Sequence, residues 1–311
     1  MKARKPIIGA LLVVIGLPVV LVLLVAASVY VLNRTNGTII SSGQARDYLL
    51  YVPNSYDRAK PTPLVISMHA AALWPAAQQH TSQWNRLADE HGFIVVYPAG
   101  GFGVLAKAWV MKPGAGLTAD VRFISELIDA LEATYNIDPT RIYADGLSNG
   151  GGMAFVLSCA LSNRIAAVGM VAAAQSLPWS WCQNPRPVPM IAFHGTADPI
   201  VPYSGGKSPI APDLFPSVRT WAENWARRNR CGPDAVESVV ATDVARREYT
   251  NCADDAAVVL YTVQGAGHSW PGGKPLPEWL VGSTSRNVDA TRQIWAFFRE
   301  HPLAAQRVAR P

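Results

Sequence analysis

Strand and helix signals alternate along about 250 residues of this 311-residue chain. They predict an α/β fold with a mostly parallel sheet covered by helices on both faces. Three observations carry that expectation: short, uncharged β-rich runs, amphipathic segments of helical period between them, and glycine-marked turns where the strands end.

Before the alternation begins, residues 6–32 form one uncharged apolar run. As a helix it would be about 40 Å long, enough for a hydrocarbon core of about 30 Å. Lys2, Arg4 and Lys5 precede it and keep its start on the cytoplasmic side. Residues 1–33 therefore read as a single transmembrane signal anchor, and residues 34–311 as one exported domain. The rival reading is a secreted protein whose signal peptide is cleaved at the small residues Ala26-Ala27-Ser28, although such a peptide has an apolar core of only about 7–15 residues. No cysteine follows the run to take a lipid. The whole chain carries +5, of which those three leading residues supply three charges. The rest gives no reason to invoke nucleic acid.

Residues 34–45 read as a short tether or first hairpin. Leu64–Met68 and Phe93–Tyr97 fit buried strands. Residues 120–135 place Val121, Ile124, Leu127, Ile128 and Leu131 on one helical stripe, stopped near Pro139. Ile142–Ala144 is a strand and Gly150–Leu161 a helix rich in small residues. An apolar segment at 165–172 and a strand at 188–193 follow. Then come a helix at 217–230 with Trp221 and Trp225 on one face, a strand at 258–263, and a helix at 288–300 burying Ile294, Trp295 and Phe298. The proline-rich stretches at 185–189 and 209–216 read as surface loops.

Chemistry concentrates at three turns. Gly146-Leu147-Ser148-Asn149-Gly150 has the form G-x-S-x-G and joins a strand to a helix, a tight turn that thrusts a serine hydroxyl from the sheet edge. Asp198 follows the strand at 188–193, and His268 follows the strand at 258–263. In open parallel sheets catalytic groups collect at such carboxyl ends. The order Ser, Asp, His is that of an α/β-hydrolase. Ser148 would attack, His268 would take and return its proton, and Asp198 would fix the imidazole. The backbone amide of Asn149 is one expected oxyanion donor, and that of Ala71, after the strand at 64–68, the other. Trp109 and Trp270 are candidate walls of an acyl pocket. Asp120, read as lying at a helix start, and Asp145, which precedes the serine, fit less well as the acid. His69, His80 and His91 lack helical or metal-ligand spacing, so neither a metal nor any other cofactor is expected.

Cys159, Cys182, Cys231 and Cys252 form an even set in an exported domain. Three connectivities exist, the simplest joining 159 to 182 and 231 to 252; four buried thiols are the alternative.

The segments Gly146–Ala154, His194–Gly206 and Gly265–Gly273 resemble the polyhydroxybutyrate depolymerase and feruloyl esterase family, including the exported LpqC-like esterases. The likeness spans residues 47–300. It implies an α/β-hydrolase fold and hydrolysis of carboxylic esters through an acyl-enzyme, with the same three residues as nucleophile, acid and base. It also supports cysteine pairs flanking these segments. The expected substrates are small-molecule esters or esters of polysaccharide or polyester. Such esterases commonly carry His-Gly-x after the strand at 64–68, where this chain has His69-Ala70-Ala71. A serine peptidase or acyltransferase on the same fold, and a non-catalytic binding protein, are the competing functions.

Overall fold

The computed structural model describes residues 31, 33–101, 103, 107–182, 186–209 and 214–304. All but the end of the apolar run at 6–32, and with it the predicted anchor, lies outside them. Among the described residues no helix is long and apolar enough to cross a membrane.

Among the described residues ten strands build one sheet in the order β1-β2-β4-β3-β5-β6-β7-β12-β11-β10. The first two, β1 (Gly37–Ser41) and β2 (Gln44–Tyr51), form a hairpin, so of the two readings of 34–45 the tether gives way to the hairpin, whose second strand runs on to Tyr51. Its two-residue turn, Ser42 and Gly43, has φ of 51° and 75°, the left-handed pair that matches strand twist in a type I′ turn. Six strands run parallel through the middle: β3 (Thr62–Met68), β4 (Ile94–Pro98), β5 (Ile137–Leu147), β6 (Val168–Val171), β7 (Met190–Gly195) and β12 (Val258–Val263). All of their carboxyl ends lie along one edge. A hairpin of β10 (Ala235–Ala241) and β11 (Val244–Tyr249) continues the sheet antiparallel beyond β12. β8 (Gly206–Lys207) and β9 (Leu214–Phe215) pair separately.

Strand period sorts the core. In β3, Leu64, Ile66 and Met68 face one layer, while Val65 faces the other. The first layer is roofed by α3 (Ala115–Thr134), α4 (Asn149–Ala160) and α5 (Val218–Arg228). The second is covered by α1 (Pro75–Ser82), α2 (Trp84–His91) and α7 (Ala290–Glu300), and α6 (Glu278–Val281) is a single turn between α5 and α7. Trp221 and Trp225 are fully buried under α5, as their shared face requires. Ser217 caps α5 by accepting from the Thr220 amide, and Asp289 caps α7 by accepting from that of Arg292.

Two boundaries differ from the sequence reading. α3 starts at Ala115, because Leu117 extends its apolar stripe by a turn and Gly114 (φ 144°) breaks the chain just before. It ends at Thr134, and Pro139 lies instead in the irregular first part of β5, where the register with β3 shifts. The segments α1, α2 and β10–β11 have no counterpart in that reading. β10 exposes Val236 and Val239, so it lacks the buried face that produces alternation.

The disulfides are Cys159–Cys182 and Cys231–Cys252. The first joins the end of α4 to the segment after β6; the second joins the end of α5 to the segment after β11. They close loops of 23 and 21 residues, each constraining the unfolded chain by about 3 kcal/mol. Reducing both should lower the midpoint of guanidinium unfolding markedly. Replacing one pair by alanines should reproduce about half of that drop, and an unchanged midpoint after verified reduction would contradict this.

Candidate active site

Three turns leave the carboxyl edge of the sheet, after β5, β7 and β12. After β5 the chain turns sharply at Ser148 (φ 56°, ψ −119°), which caps α4 from outside the helical region. A non-glycine residue held there is strained, and strain of this kind persists only where the surroundings enforce it. The Ser148 amide donates to Val171 O at 2.8 Å, and the Gly152 amide donates to Ser148 O at 2.9 Å. Neighbouring backbone supplies the rest. A Cβ on Gly146 would lie 2.3 Å from the carbonyl carbon of Gly150, and one on Gly150 would lie 2.2 Å from Met68 O. Both glycines of the motif are therefore required by close approach. Ser148 itself is half-buried.

Asp198 and His268 are brought together, 2.8 Å apart between Oδ2 and Nδ1. Their loops press so closely that a Cβ on Gly195 would meet Ala266 O at 2.1 Å. The imidazole is buried, and the His268 amide donates to Val281 O. Asp198 Oδ1 accepts from the amides of Ile200 and Val201, both at 2.8 Å. Its Oδ2 also faces His194 Nε2 at 3.3 Å, an N–H that His194 shares with Val201 O. Burial would push the carboxyl pKa up; the bonds from His194 and His268 overcome this and hold it well below the usual carboxylate range. Asp198 is thus an acceptor throughout the neutral range, and it holds His268 Nδ1 in the donor role, leaving Nε2 free to accept. No hydrogen bond joins Ser148 to His268 in the structure, a contact that commonly tightens only when substrate binds.

The loop after β3 is fastened to the start of α4. His69 is fully buried; its Nδ1 donates to Ala70 O at 2.8 Å, and its Nε2 accepts from the Gly100 amide at 3.0 Å. Burial lowers its pKa to about 4, so it is a neutral strut rather than an acid or base. Ala70 keeps a negative φ, and the left-handed residue of the loop is Ala72, at 60°. The methyl group of Ala70 therefore meets no left-handed strain. Ala71 is exposed at the rim. The first amides of a helix have no partner within it, and at α4 these begin with Asn149.

Trp109 and Trp270 diverge. The indole of Trp270 is sealed in the core, its N–H donated to Thr291 Oγ1 at 2.9 Å, so it lines no pocket. Trp109 is buried between the two expected oxyanion segments. Its amide donates to Asn149 Oδ1 at 2.7 Å, its carbonyl accepts from Asn149 Nδ2 at 3.1 Å, and its indole N–H donates to His69 O at 3.2 Å. The Asn149 side chain, His194 and His69 are the parts of the site that motif reading left without a role. The signal for His194 was its place four residues before Asp198.

Neither alternative acid stands at the edge. Asp120 is buried one turn inside α3, not at its start, and pairs with Arg46 at 2.8 Å. Asp145 is enclosed within the sheet and accepts from Ser67 Oγ at 2.6 Å. Among the described residues no cluster of His, Cys, Asp and Glu could hold a metal ion.

Comparison with known proteins supports the family reading. Residues 46–175 match the family described as Esterase PHB depolymerase. The chain is 30% identical over 235 residues to feruloyl esterase B of Piromyces equi. These matches support the polyhydroxybutyrate depolymerase and feruloyl esterase family. The likeness to the Piromyces enzyme covers 74% of this chain but only 44% of that protein, so the chain spans less than half the length of that relative. Feruloyl esterase C of Emericella nidulans is 27% identical over 272 residues, covering 85% of this chain and 87% of that one. Among solved structures, the acetyl xylan esterase from Aspergillus awamori superposes with a TM-score of 0.58 at 14% identity, covering 75% of this chain and 93% of that one. At that identity the likeness shows the α/β-hydrolase fold.

Burial pushes the Asp145 carboxyl up to about 8 against the lowering by Ser67. The native state then keeps a proton that the unfolded chain releases near pH 4. Stability attributable to this group is complete below about pH 4 and declines as pH rises toward 8. Asp145→Asn should remove that decline. Denaturant unfolding at pH 5 and pH 8 should show a larger loss for the wild type than for the variant, and equal losses would contradict it.

Proposed function

We propose that this protein is a serine esterase that hydrolyses carboxylic esters through an acyl-serine intermediate. The observation that carries the reading is the buried Asp198–His268 hydrogen bond, set at the same sheet edge as the strained Ser148 turn. Ser148 Oγ attacks the ester carbonyl while His268 Nε2 takes its proton. The tetrahedral oxyanion is held by the amides of Asn149 and Ala71. Collapse expels the alcohol, which receives the proton from His268. Water, activated by the same imidazole, then releases the acid and restores Ser148. Asp198 stays ionised and stabilises the imidazolium formed at each step.

The relatives' names support the substrate class: they are feruloyl and acetylxylan esterases. Soluble esters, or hydroxycinnamoyl and acetyl esters on polysaccharide, rank above insoluble polyester for a domain tethered to a membrane. That tether is the uncharged run at 6–32, behind Lys2, Arg4 and Lys5, which places the catalytic domain on the extracytoplasmic side. A panel of methyl ferulate, acetylated xylan, hydroxybutyrate oligomers and p-nitrophenyl esters, set beside peptide and sugar-acceptor assays, separates the esterase from a peptidase or acyltransferase. Failure of a fluorophosphonate probe to label Ser148 would point to a binding protein.

Ser148→Ala and His268→Ala should each lower kcat by at least about 10⁴, with the double variant little worse. More than a tenth of wild-type activity in either folded variant would sink the assignment. Deleting residues 1–33 should yield an active domain that stays in the supernatant. The full chain should remain in the membrane fraction after alkaline washing, and its release there would argue for cleavage and secretion.

A further inference from the structure

We infer that the buried Arg46–Asp120 pair is a positioning device for the oxyanion hole, an inference that rests on the esterase reading above. The two residues come from distant elements, Arg46 from β2 and Asp120 from α3. Each grips one end of the loop between β4 and α3. Arg46 Nη2 donates to Ala99 O at 3.1 Å as well as to Asp120 Oδ1 at 2.8 Å. Asp120 Oδ2 accepts from the Val110 amide at 3.0 Å. The guanidinium also lies over the Phe123 ring, 4.1 Å from its centroid, and both side chains are less than a tenth exposed. The pair thus closes the loop as a clasp, with Ala99 on one side and Val110 on the other.

Several groups that brace the two oxyanion segments lie just inside this clasp. The Gly100 amide, one residue from Ala99, donates to His69 Nε2. The main chain of Trp109, one residue from Val110, makes the two-point bond with the Asn149 side chain, and its indole holds His69 O. Lys107 O accepts from the Ala72 amide, next to Ala71. The two sides of the loop also touch, since a Cβ on Gly100 would lie 2.4 Å from Ala108 O. No room exists for Arg46 or Asp120 to act on substrate; their effect passes through the loop. Loosening the clasp should let the Asn149 and Ala71 amides drift from the geometry the transition state needs, while ground-state binding stays as it was. Loss of an oxyanion donor outright lowers kcat about 10²–10³-fold, so partial misalignment should cost less.

The test is Asp120→Asn in the full chain, with Arg46→Lys as the milder partner should the first fail to fold. Asp120→Asn should lower kcat on p-nitrophenyl acetate by roughly 10–100-fold with KM changed less than threefold. The inhibition constant of a boronic acid, which mimics the tetrahedral state, should rise in proportion to the loss in kcat. Arg46→Lys, which keeps the charge but not the fork, should fall between. Amide hydrogen exchange in 69–73 and 107–111 should quicken while that in β6 and β7 is unchanged. Arg164→Ala, which breaks the remote pair with Asp129, should leave kcat as it is. A folded Asp120→Asn enzyme with wild-type kcat and boronate affinity would overturn the inference and reduce the pair to a stabilising contact. Should the wild type hydrolyse none of the esters, the esterase reading fails by itself. The exchange pattern then still decides whether the clasp orders the loop: unchanged exchange in both segments would overturn it.

Discussion

Asp198 sits in a place where a carboxylate survives only if all its acceptor capacity is used. An ionised group removed from water costs several kcal/mol unless hydrogen bonds replace its hydration. Here two backbone amides hold one oxygen, and two imidazoles face the other. This demand shapes the acid end of the site. Residues 198–201 must curl back on the carboxylate, Gly195 must admit the Ala266 carbonyl, and Gly267 must admit Val281 O. The His268 loop is thereby pinned from both sides. The carboxylate orders its surroundings as much as they stabilise it.

The nucleophile end is governed by steric approach instead. Gly146 and Gly150 touch, Gly150 also touches Met68 O, and Ser148 takes the strained conformation between them. These contacts bring the end of β3 against the start of α4. The donors that would face an oxyanion therefore come from elements far apart in sequence. Backbone contact alone sets their separation only coarsely. The finer setting comes from polar side chains, His69, Asn149 and Trp109, whose bonds all run to main-chain atoms.

What could be read from the sequence follows from which forces act locally. The central strands and α3, α4, α5 and α7 were legible because both faces of the sheet are buried, which leaves uncharged runs and apolar stripes. α1 was not, since its buried positions include Gln78, Thr81 and Ser82, which carry no apolar signal. β10 was not, because it is an edge strand without a buried face. The three turns of the site were legible because each combines a glycine with a reactive side chain at a strand end. The Arg46–Asp120 pair, the neutral His69 and the second histidine on Asp198 were hidden. They are contacts between elements that the chain order does not juxtapose, and nothing in residue spacing announces them. Trp270 shows the converse: adjacency in sequence to His268 suggested a pocket wall, but successive side chains in a turn point to different layers.

Three buried aspartates make the same point with one residue type. Asp120 is neutralised by a guanidinium and spends its second oxygen on a backbone amide. Asp145 has no cation beside it, and burial pushes it up to about 8, so it stands protonated near neutrality. Asp198 alone is ionised without a permanent positive partner, held by dipoles and by two imidazoles. Only that third arrangement leaves a carboxylate whose attraction for a neighbouring proton can grow during a reaction. An arginine would already have consumed the charge at Asp120, and at Asp145 there is little charge to use. A charge that appears transiently on His268 finds its counter-charge waiting, without solvent having to reorganise. The choice among three chemically identical side chains is thus made by their partners.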